Sequence, residues 1–362
     1  MNIPAPSGHK ININPTDMRF RSFVLSVLAL QMTTAAVAQK VKLQRDASRP
    51  VVSVRIKGQH FTDFFFPDTI AKPVLYPIKA PNGTVVTRGF PVTPLPGEPT
   101  DHPHHLGLWL NYGDVNGLDF WNNSAAIPAD KKKDYGNIRM DGIETIRSGE
   151  TGLIRYKARW VDHTERVLLR ETTDLVFSEQ GGMWIIDRKT TLTAELPVSF
   201  KDNKEGVLGL RVARALQIPA KETKKFTDAN GIVTTVKAVT DTVANGNYLA
   251  ANGKQGDDVW SSKASWCLLY GRMKADSVSI LIVDHPSNVG YPTHWHARGY
   301  GLFAANPLGV KVFTNGASEL NQALEAGKSM TLRYRVVFAA GQRVLDAGRI
   351  AALEQSFAAK KD

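Results

Sequence analysis

Hydrophobic and polar residues alternate along much of this chain with a period of two. In the segment GLIRYKARW, Ile154, Tyr156, Ala158 and Trp160 fall on one side, and the arginines and the lysine between them fall on the other. The segments PVVSVRIKG, GGMWIIDRKTTLTAEL and SMTLRYRVVF follow the same pattern, whereas SVSILIVDHP is apolar on both sides. Alternation bounded by Gly, Asn and Pro predicts β-strands with one solvent-facing side, which are typical of antiparallel sheets.

Helical periodicity is confined to the end of the chain. In GQRVLDAGRIAALEQSFAAKK, Ile350, Leu353 and Phe357 recur at intervals that place them on one helix face. The sequence contains many predicted strands, no internal repeat and no low-complexity linker. These features predict an all-β protein, with one large antiparallel β-sandwich and a short C-terminal helix.

The first 38 residues have the pattern of a secretory signal. Arg19 and Arg21 precede a short apolar run, and Ala36-Val37-Ala38 supplies the small residues of a cleavage site. We therefore predict an N-terminal extension with a signal peptide over residues 1–38, a single β-sandwich domain over residues 39–362, and a periplasmic or secreted location. No apolar run reaches the roughly 20 residues of a membrane-spanning helix, so no membrane span is predicted.

Charge and cysteine content limit the classes of function. The net charge is +11 at pH 7, but only Lys131-Lys132-Lys133 forms a basic run, and it lacks the interleaved aromatic residues of a nucleic-acid-binding surface. No nucleic-acid partner is therefore predicted. The single cysteine, Cys267, excludes an intrachain disulfide, and its apolar surroundings in SWCLLYG indicate a buried, inert thiol.

The candidate chemistry lies in the histidines, which cluster in three short segments. These segments are DHPHHLGLWLNYGDVNGLDFW, which begins at Asp101, VDHPSN, and PTHWHARGYG. The pairs His102/His104 and His294/His296 have a spacing that, on an extended chain, places both rings on one face about 7 Å apart. That spacing suits two ligands of a metal ion or two groups flanking a sugar, and neutral histidine also serves as a general acid or base. We expect the segments to meet in one site.

Residues beside these segments complete the predicted site. The residues assigned catalytic roles are His102, His104, His285, His296 and Glu205. The residues expected to bind substrate are Arg211, Arg298, Trp109, Trp121, Asp119 and Asn111. An arginine that faces a core pairs with a carboxylate, and aromatic rings beside polar groups form stacking surfaces for sugars. The alternative interpretation is structural: acidic residues in turns, and tryptophans that anchor loops.

The stretches around His104 and His296 are rich in Gly, Pro and Asn, so both histidines are expected to lie in loops. Replacing either by alanine is then expected to cost little stability. In a metal site, His104, His294 and His296 would be the ligands of a divalent ion such as Zn, Cu, Mn or Ca. The chain contains neither a four-cysteine motif nor H-E-x-x-H.

Four long motifs carry a family resemblance. They are FPDTIAKPVLYPIKAPNGTVVTRGFP, DHPHHLGLWLNYGDVNGLDFW, KEGVLGLRVA and DHPSNVGYPTHWHARGYGLFAANPLG. Together they resemble the bacterial family labelled methane oxygenase PmoA-like, from roughly Val52 to Phe338. The resemblance implies an exported β-sandwich domain that accompanies carbohydrate-processing proteins, for which we expect a galactose-mutarotase-like supersandwich. It also implies an arginine after the histidine pair, where this chain has Leu106.

Three functional hypotheses follow from these patterns. The first is a carbohydrate-active hydrolase, lyase or epimerase that acts on a glycoside or keto-glycoside through its histidines, with or without a metal ion. The second is a non-catalytic carbohydrate-binding protein. The third is a copper or zinc protein of the oxidase type. A small molecule or an oligosaccharide is the expected partner.

Overall fold

The alternating segments form β-strands that pair into two large antiparallel sheets. In the computed structural model, the described residues are 1–2, 4, 8, 39–219, 224–227, 233–236, 243–341 and 345–360. The first ten strands are β1 (Val41–Arg45), β2 (Val51–Ile56), β3 (Gln59–Phe65), β4 (Val74–Ile78), β5 (Leu108–Tyr112), β6 (Asn137–Arg147), β7 (Gly152–Val161), β8 (Val167–Gln180), β9 (Met183–Ala194) and β10 (Val198–Phe200). The others are β11 (Gly206–Arg211), β12 (Lys224–Thr227), β13 (Val233–Val236), β14 (Asn247–Ala250), β15 (Trp266–Met273), β16 (Asp276–Asp284), β17 (His294–Arg298), β18 (Leu302–Asn306), β19 (Gln322–Leu324) and β20 (Ser329–Gly341).

Each large sheet has eight strands. The first, called the site sheet below, has the order β1-β2-β3-β4-β5-β11-β18-β17. The second, called the helix-covered sheet, has the order β14-β15-β16-β20-β9-β8-β7-β6. Two short ribbons, β10-β19 and β12-β13, complete the strand pairing among the described residues. The α-helices in the part of the chain that the structure describes are α1 (Val310–Phe313) and α2 (Ala347–Ala358). The predicted fold class, an antiparallel β-sandwich with a short C-terminal helix, is confirmed.

The main hydrophobic core lies between the two sheets. Phe61 of β3 contacts the rings of Phe177, Trp184 and Phe338 in the opposite sheet, with centroid distances of 5.0 to 6.3 Å. On β7, alternate residues are buried in this core and Arg155 is exposed, as the period of two predicts. The sandwich therefore depends on the alternation seen in the sequence.

A smaller core explains why SVSILIVDHP is apolar on both sides. Ile282 of β16 faces the main core, whereas Leu281 and Val283 pack beneath α2, which contributes Leu353 and Phe357. Leu281 and Val283 are therefore sheltered from solvent although they lie on the outer face of the sheet.

Helix α2 starts later than its sequence pattern suggests. The backbone stays in β20 up to Gly341, and the helix begins at Ala347. Asp346 caps the helix, because its side chain accepts a hydrogen bond from the Arg349 backbone N–H at 2.8 Å. The same helix covers Arg335, which the alternation had placed in solvent. Arg335 is 4% exposed and donates to both carboxylate oxygens of Asp187, at 2.6 and 2.8 Å.

Three further predictions concern the chain as a whole. Within the described residues, no helix has the length and apolar character needed to cross a membrane. Cys267 is buried, and burial raises the pKa of its thiol well above the ordinary value, as expected of an inert cysteine. Residues Gln39–Asp362 form one unit, distinct from Met1–Ala38. The predicted signal peptide, with cleavage after Ala38, lies outside the described residues and stays a prediction, as does export.

A buried polar network crosses the helix-covered sheet inside the main core. The carboxylate of Glu171 accepts hydrogen bonds from the Tyr156 hydroxyl at 2.7 Å, the Trp160 indole at 2.8 Å and the Arg188 guanidinium at 3.1 Å. Glu171 and Arg188 are both buried. Two charges removed from water are tolerated only while each satisfies the other.

We expect Glu171→Gln to lower the free energy of unfolding by about 3–5 kcal/mol, because it leaves the buried Arg188 without its counter-charge. The matched control is Glu195→Gln, which removes the carboxylate of the half-exposed Arg170–Glu195 pair and should cost less than about 1 kcal/mol. Urea denaturation of the two variants and the wild type measures both values. Equal costs for the two variants would contradict this interpretation.

Candidate functional site

The floor of the candidate site is the outer face of the site sheet. Strand register places four residues in one row: Trp109 on β5, Gly209 on β11, Ala304 on β18 and His296 on β17. The two small residues in the middle let larger groups lie over the sheet. Gly209 is required there, because a Cβ atom at this position would lie 2.5 Å from the Trp109 ring and 2.8 Å from the Trp121 ring.

Two buried arginines fix the loop that carries His102, His104 and His105. Arg88 donates to the backbone carbonyls of Asp101 (2.7 Å), His102 (2.8 Å) and His105 (3.1 Å). Arg88 and Arg211 both donate to Oδ1 of Asp101 at 2.9 Å, and Arg211 also donates to Nδ1 of His105 at 3.3 Å. Burial, together with the Arg211 charge, lowers the pKa of Arg88 to about 9. The Asp101 carboxylate thus accepts hydrogen bonds from two guanidinium groups.

Asp101 also orients the His102 ring. Nδ1 of His102 donates to Oδ2 of Asp101 at 2.5 Å, and the ring stacks between those of His105 (4.8 Å) and Tyr300 (5.3 Å). Burial acts to raise the pKa of Asp101, but the His102 hydrogen bond and the Arg211 charge outweigh it and hold that pKa below its ordinary value. The carboxylate is therefore ionised at neutral pH. His102 has a φ of 46°, which is uncommon for a residue other than glycine and typical of constrained functional loops.

His296 faces the same region from β17. Its Nδ1 donates to the Lys204 carbonyl at 2.7 Å, which leaves the lone pair on Nε2. Glu205 places Oε2 3.8 Å from that Nδ1 and contacts the Lys204 amine through Oε1. Burial, and then the charge of Arg298, lowers the pKa of His296 well below its ordinary value, so the ring is neutral at pH 7. The charge of His102 contributes to this shift, so the two histidines lie within electrostatic range.

Tyr300 belongs to the cluster around His102, although the sequence analysis did not single it out. Its ring stacks on His102, and the Arg211 guanidinium lies 4.8 Å from its centroid. Burial raises the pKa of its hydroxyl, and the Glu205 charge raises it further, whereas Arg211 and Arg298 oppose the rise. The signal was available, since Tyr300 closes the motif HWHARGYG that contains His296.

Several buried polar atoms beside this cluster lack a partner. Within the described residues, Nε2 of His104 and His105, Nε1 of Trp109 and Trp121, and Oδ1 of Asn111 have no hydrogen-bond partner. The His105 ring centroid lies 4.3 Å from that of His104, 5.3 Å from Trp109 and 5.8 Å from Trp121. Each such buried atom costs about 1–3 kcal/mol. Their concentration in one place indicates a site for a ligand that offers several hydrogen-bonding groups.

The structure does not bring His285 into this site. Its Nδ1 lies 2.8 Å from the Ser287 hydroxyl, and its ring packs edge-on against Phe357 of α2 at a centroid distance of 5.0 Å. The reason is topological: His285 follows β16 of the helix-covered sheet, whereas His296 lies on β17 of the site sheet. The nine residues between β16 and β17 cross from one sheet to the other, so the two Asp-His-Pro motifs do not form a single cluster.

The side chains of the proposed metal ligands His104, His294 and His296 are not grouped as the ligands of one metal ion would be. The Nδ1 atoms of His294 and His296 both face backbone carbonyls, those of Ser261 (2.9 Å) and Lys204 (2.7 Å). The His294 ring also stacks on Phe313 of α1 at 5.2 Å. Across the part of the chain that the structure describes, no three or more His, Cys, Asp or Glu residues are grouped so as to hold a metal ion. The expectation of Zn, Cu, Mn or Ca at these histidines therefore finds no support.

Several predicted residues lie deeper than the sequence indicated. His104 is 8% exposed and His296 is 1% exposed, and His296 is on a strand, so the structure removes the exposed positions on which the expected low cost of replacement was based. Trp109 and Trp121 are fully buried with ring centroids 5.1 Å apart, so they support the His105 ring and present no open stacking surface. In the segment HWHAR, alternation with the inward-facing Trp295 would have indicated the strand.

The remaining predicted site residues make contacts that stabilise the structure around the site. Asn111 of β5 donates to the Phe120 carbonyl at 2.6 Å, and the Asp119 carboxylate accepts from the backbone N–H of Asn122 at 2.9 Å. Both hold the turn that carries Trp121. The Arg298 guanidinium lies 4.9 Å from the centre of the Trp260 ring, at the half-buried edge of the site.

One buried lysine was not among the predicted site residues. Lys72, two residues before β4, is 4% exposed, and its amine donates to the His104 carbonyl at 2.8 Å and lies 5.2 Å from the Trp109 ring centre. Burial lowers the pKa of Lys72 to about 7, although the Asp119 charge opposes this shift. Lys72 lines a pocket of about 220 Å³, called the Lys72 pocket below, whose lining also includes Ile70, His104, Leu106, Asn123 and Ala126. At position 106, the pocket is therefore lined by an apolar leucine where the resemblance implied an arginine.

We expect Lys72→Met to be more stable than the wild type at pH 7. The folded-state pKa lies below the ordinary value of 10.5, so the unfolded wild type binds more protons between pH 7 and 10.5. Wild-type stability therefore rises with pH in that window, by up to about 1.4 kcal/mol per unit, and the advantage of the methionine variant shrinks. Below pH 7 the difference should be constant. Urea denaturation at several pH values tests this; a difference independent of pH would refute it.

Comparison with known proteins adds fold-level likeness. No match is found among curated proteins. The chain is similar to a putative aldose 1-epimerase from Escherichia coli K12, with a TM-score of 0.37, 8% identity, and 84% of this chain and 100% of that chain covered. It is similar to a galactose mutarotase-like protein from Clostridium acetobutylicum, with a TM-score of 0.34, 9% identity and coverages of 84% and 99%.

The GH36 α-galactosidase AgaB from Geobacillus stearothermophilus gives a TM-score of 0.35 at 10% identity over 83% of this chain. This chain spans only 41% of that enzyme. These likenesses concern the fold alone. The carbohydrate activities belong to those proteins.

The family assignment rests on the sequence itself. Residues 51–355 match the model of a family described as Family of unknown function (DUF6807). This match overturns the resemblance to a methane oxygenase PmoA-like family, which no comparison shows. The four motifs that carried the resemblance lie wholly inside the matched range. Because the match extends over most of the sequence, the chain belongs to the family of unknown function DUF6807.

Proposed function

We propose that this chain is a carbohydrate-active enzyme that moves protons to and from a sugar, in the cleavage, elimination or epimerisation of a glycoside or keto-glycoside. The observation that carries the proposal is a pair of imidazoles, those of His102 and His296, each of which is oriented by a different hydrogen bond. Asp101 orients His102, and the Lys204 carbonyl orients His296. Two oriented groups of this kind are what general acid–base catalysis requires.

The two imidazoles suit different roles. His296 is neutral at pH 7 and keeps its Nε2 lone pair, so it serves as the proton acceptor. In His102, the carboxylate of Asp101 fixes the proton on Nδ1, so this ring exchanges protons with a ligand through its other nitrogen. A carbonyl on the sugar would acidify the neighbouring C–H bond enough for an imidazole to remove its proton, which favours keto-glycosides.

The unpaired polar atoms around His105 support a sugar as the ligand. They include donors and an acceptor, and the ring centroids of His104, Trp109 and Trp121 lie 4.3 to 5.8 Å from that of His105. A polyhydroxylated ring satisfies such a set better than an apolar molecule, because each hydroxyl both donates and accepts. Arg298, at the half-buried edge of the site, is placed to meet an oxygen substituent. We also propose export from the cell, on the sequence pattern of residues 1–38.

The matched variants His296→Gln and His163→Gln test the proton-transfer role. Glutamine at position 296 keeps a donor for the Lys204 carbonyl but cannot take up a proton. We expect turnover to fall by about 10²–10⁴-fold, with a stability loss of about 1 kcal/mol from the altered buried contact. His163 is exposed and remote from these contacts, so its variant should match the wild type. Proton NMR in D2O, over a panel of glycosides, keto-glycosides and free aldoses, detects cleavage, elimination and epimerisation together.

The outcomes separate the remaining hypotheses. Sugar binding without turnover by the wild type would overturn the enzymatic proposal in favour of a carbohydrate-binding protein. Turnover that survives in His296→Gln would remove His296 from the mechanism and, with it, the observation on which the proposal stands.

A further inference from the structure

We propose that Lys72 captures the carbonyl carbon of a keto-sugar as an imine in the Lys72 pocket. This inference rests on the proposed function and narrows its substrates to sugars that carry a ketone or an aldehyde. It adds a covalent step to a site whose other groups only exchange protons.

The amine is buried, and its hydrogen bond goes to a neutral group. It donates to the backbone carbonyl of His104. Asp119 acts on it electrostatically, but its carboxylate oxygens bond the backbone and side-chain nitrogens of Asn122. A desolvated amine of this kind is poorly suited to remain an ammonium ion. The lowered pKa, about 7, agrees with this geometry and makes a neutral nucleophile available at neutral pH.

The pocket beside the amine accepts a small ligand. Its volume of about 220 Å³ lies below the roughly 300–1,000 Å³ of sites for drug-sized molecules, so it suits a single sugar ring. Leu106, Ile70 and Ala126 keep the lining apolar, which shields an imine from water. His104 lines the same pocket and, through its ring contact with His105, joins it to the cluster of unpaired polar atoms.

The chemical step balances without an oxidant or a reductant. The nitrogen lone pair attacks the carbonyl carbon, which forms a C–N bond while the carbonyl oxygen takes up a proton. The C–O bond then breaks, and the oxygen leaves as water with the two protons that the amine gave up. Hydrolysis reverses each step and restores the lysine. While the imine is protonated, the neighbouring C–H is more acidic than in the parent ketone, which makes removal of its proton easier.

His104 is placed to carry the proton between the nitrogen and the departing oxygen. Its backbone carbonyl accepts from Lys72, and its Nε2 has no partner within the described residues. Burial, then the charges of His102 and Lys72, lowers the pKa of His104 well below its ordinary value. The neutral ring can accept a proton on one nitrogen and release one from the other.

Trapping by borohydride tests the inference in the full-length chain. The protein is incubated with a methyl 3-keto-glucoside, or with dihydroxyacetone as a small carbonyl probe, and sodium borohydride then reduces any imine to a stable secondary amine. Intact mass and peptide mapping locate the label. We expect one label per chain on Lys72 in the wild type and in Lys131→Met, an exposed-lysine control, and none in Lys72→Met. Turnover of the keto-glucoside should fall by about 10²-fold or more in Lys72→Met and not in Lys131→Met.

A second variant keeps Lys72 and obstructs its pocket. Ala126→Trp, at the exposed rim, should reduce labelling by the keto-glucoside more than labelling by the smaller dihydroxyacetone. Label spread over exposed lysines and unchanged in Lys72→Met would overturn the inference. If turnover depends on His296 but Lys72 carries no label, the inference is overturned and the proposed function is left standing. Labelled Lys72 in a protein that converts no sugar would support carbonyl capture and refute the proposed function.

Discussion

The shape of the candidate site depends on one carboxylate held between two buried guanidinium groups. Asp101 accepts from Arg88 and Arg211, and Arg88 donates to three further carbonyls of the same loop. A buried guanidinium costs several kcal/mol unless its donors are satisfied, so the loop from Asp101 to His105 has little freedom to rearrange. The position of His102 on Asp101, the stacking of Tyr300 on His102 and the placement of His105 over Trp109 all follow from that constraint.

Buried charge is treated in two different ways in this molecule. In the main core, Glu171 and Arg188 satisfy each other, and hydroxyl and indole donors complete their environment. At the outer face of the site sheet, Lys72 has only a carbonyl and an aromatic face, and five neighbouring polar atoms lack partners within the described residues. The first arrangement stabilises a unique packing. The second lowers stability, and such local sacrifices are concentrated at functional sites because ligands supply the missing interactions.

The rigid part of the site comes from strands and the adjustable part from loops. Strands β5, β11, β18 and β17 align Trp109, Gly209, Ala304 and His296 across one sheet face. The loop before β5 supplies the other histidines and is fastened by side chains rather than by a strand ladder. Because the strands fix the sheet face and side-chain hydrogen bonds fix the loop, residues more than 100 positions apart keep a constant relative geometry.

The sequence by itself determined the strands, the C-terminal helix and the segments that hold the chemistry. Period-two alternation depends on local backbone geometry and is readable within ten residues, as in β7 and β20. Only the tertiary structure decided which distant residues contact each other, because those contacts depend on strand order. That order placed His296 in one row with Trp109 on the site sheet, brought His285 against α2, and buried Arg335 beneath the helix. It also brought Lys72 to the His104 carbonyl, a contact that no local pattern encodes because the two residues belong to different segments joined through the sheet.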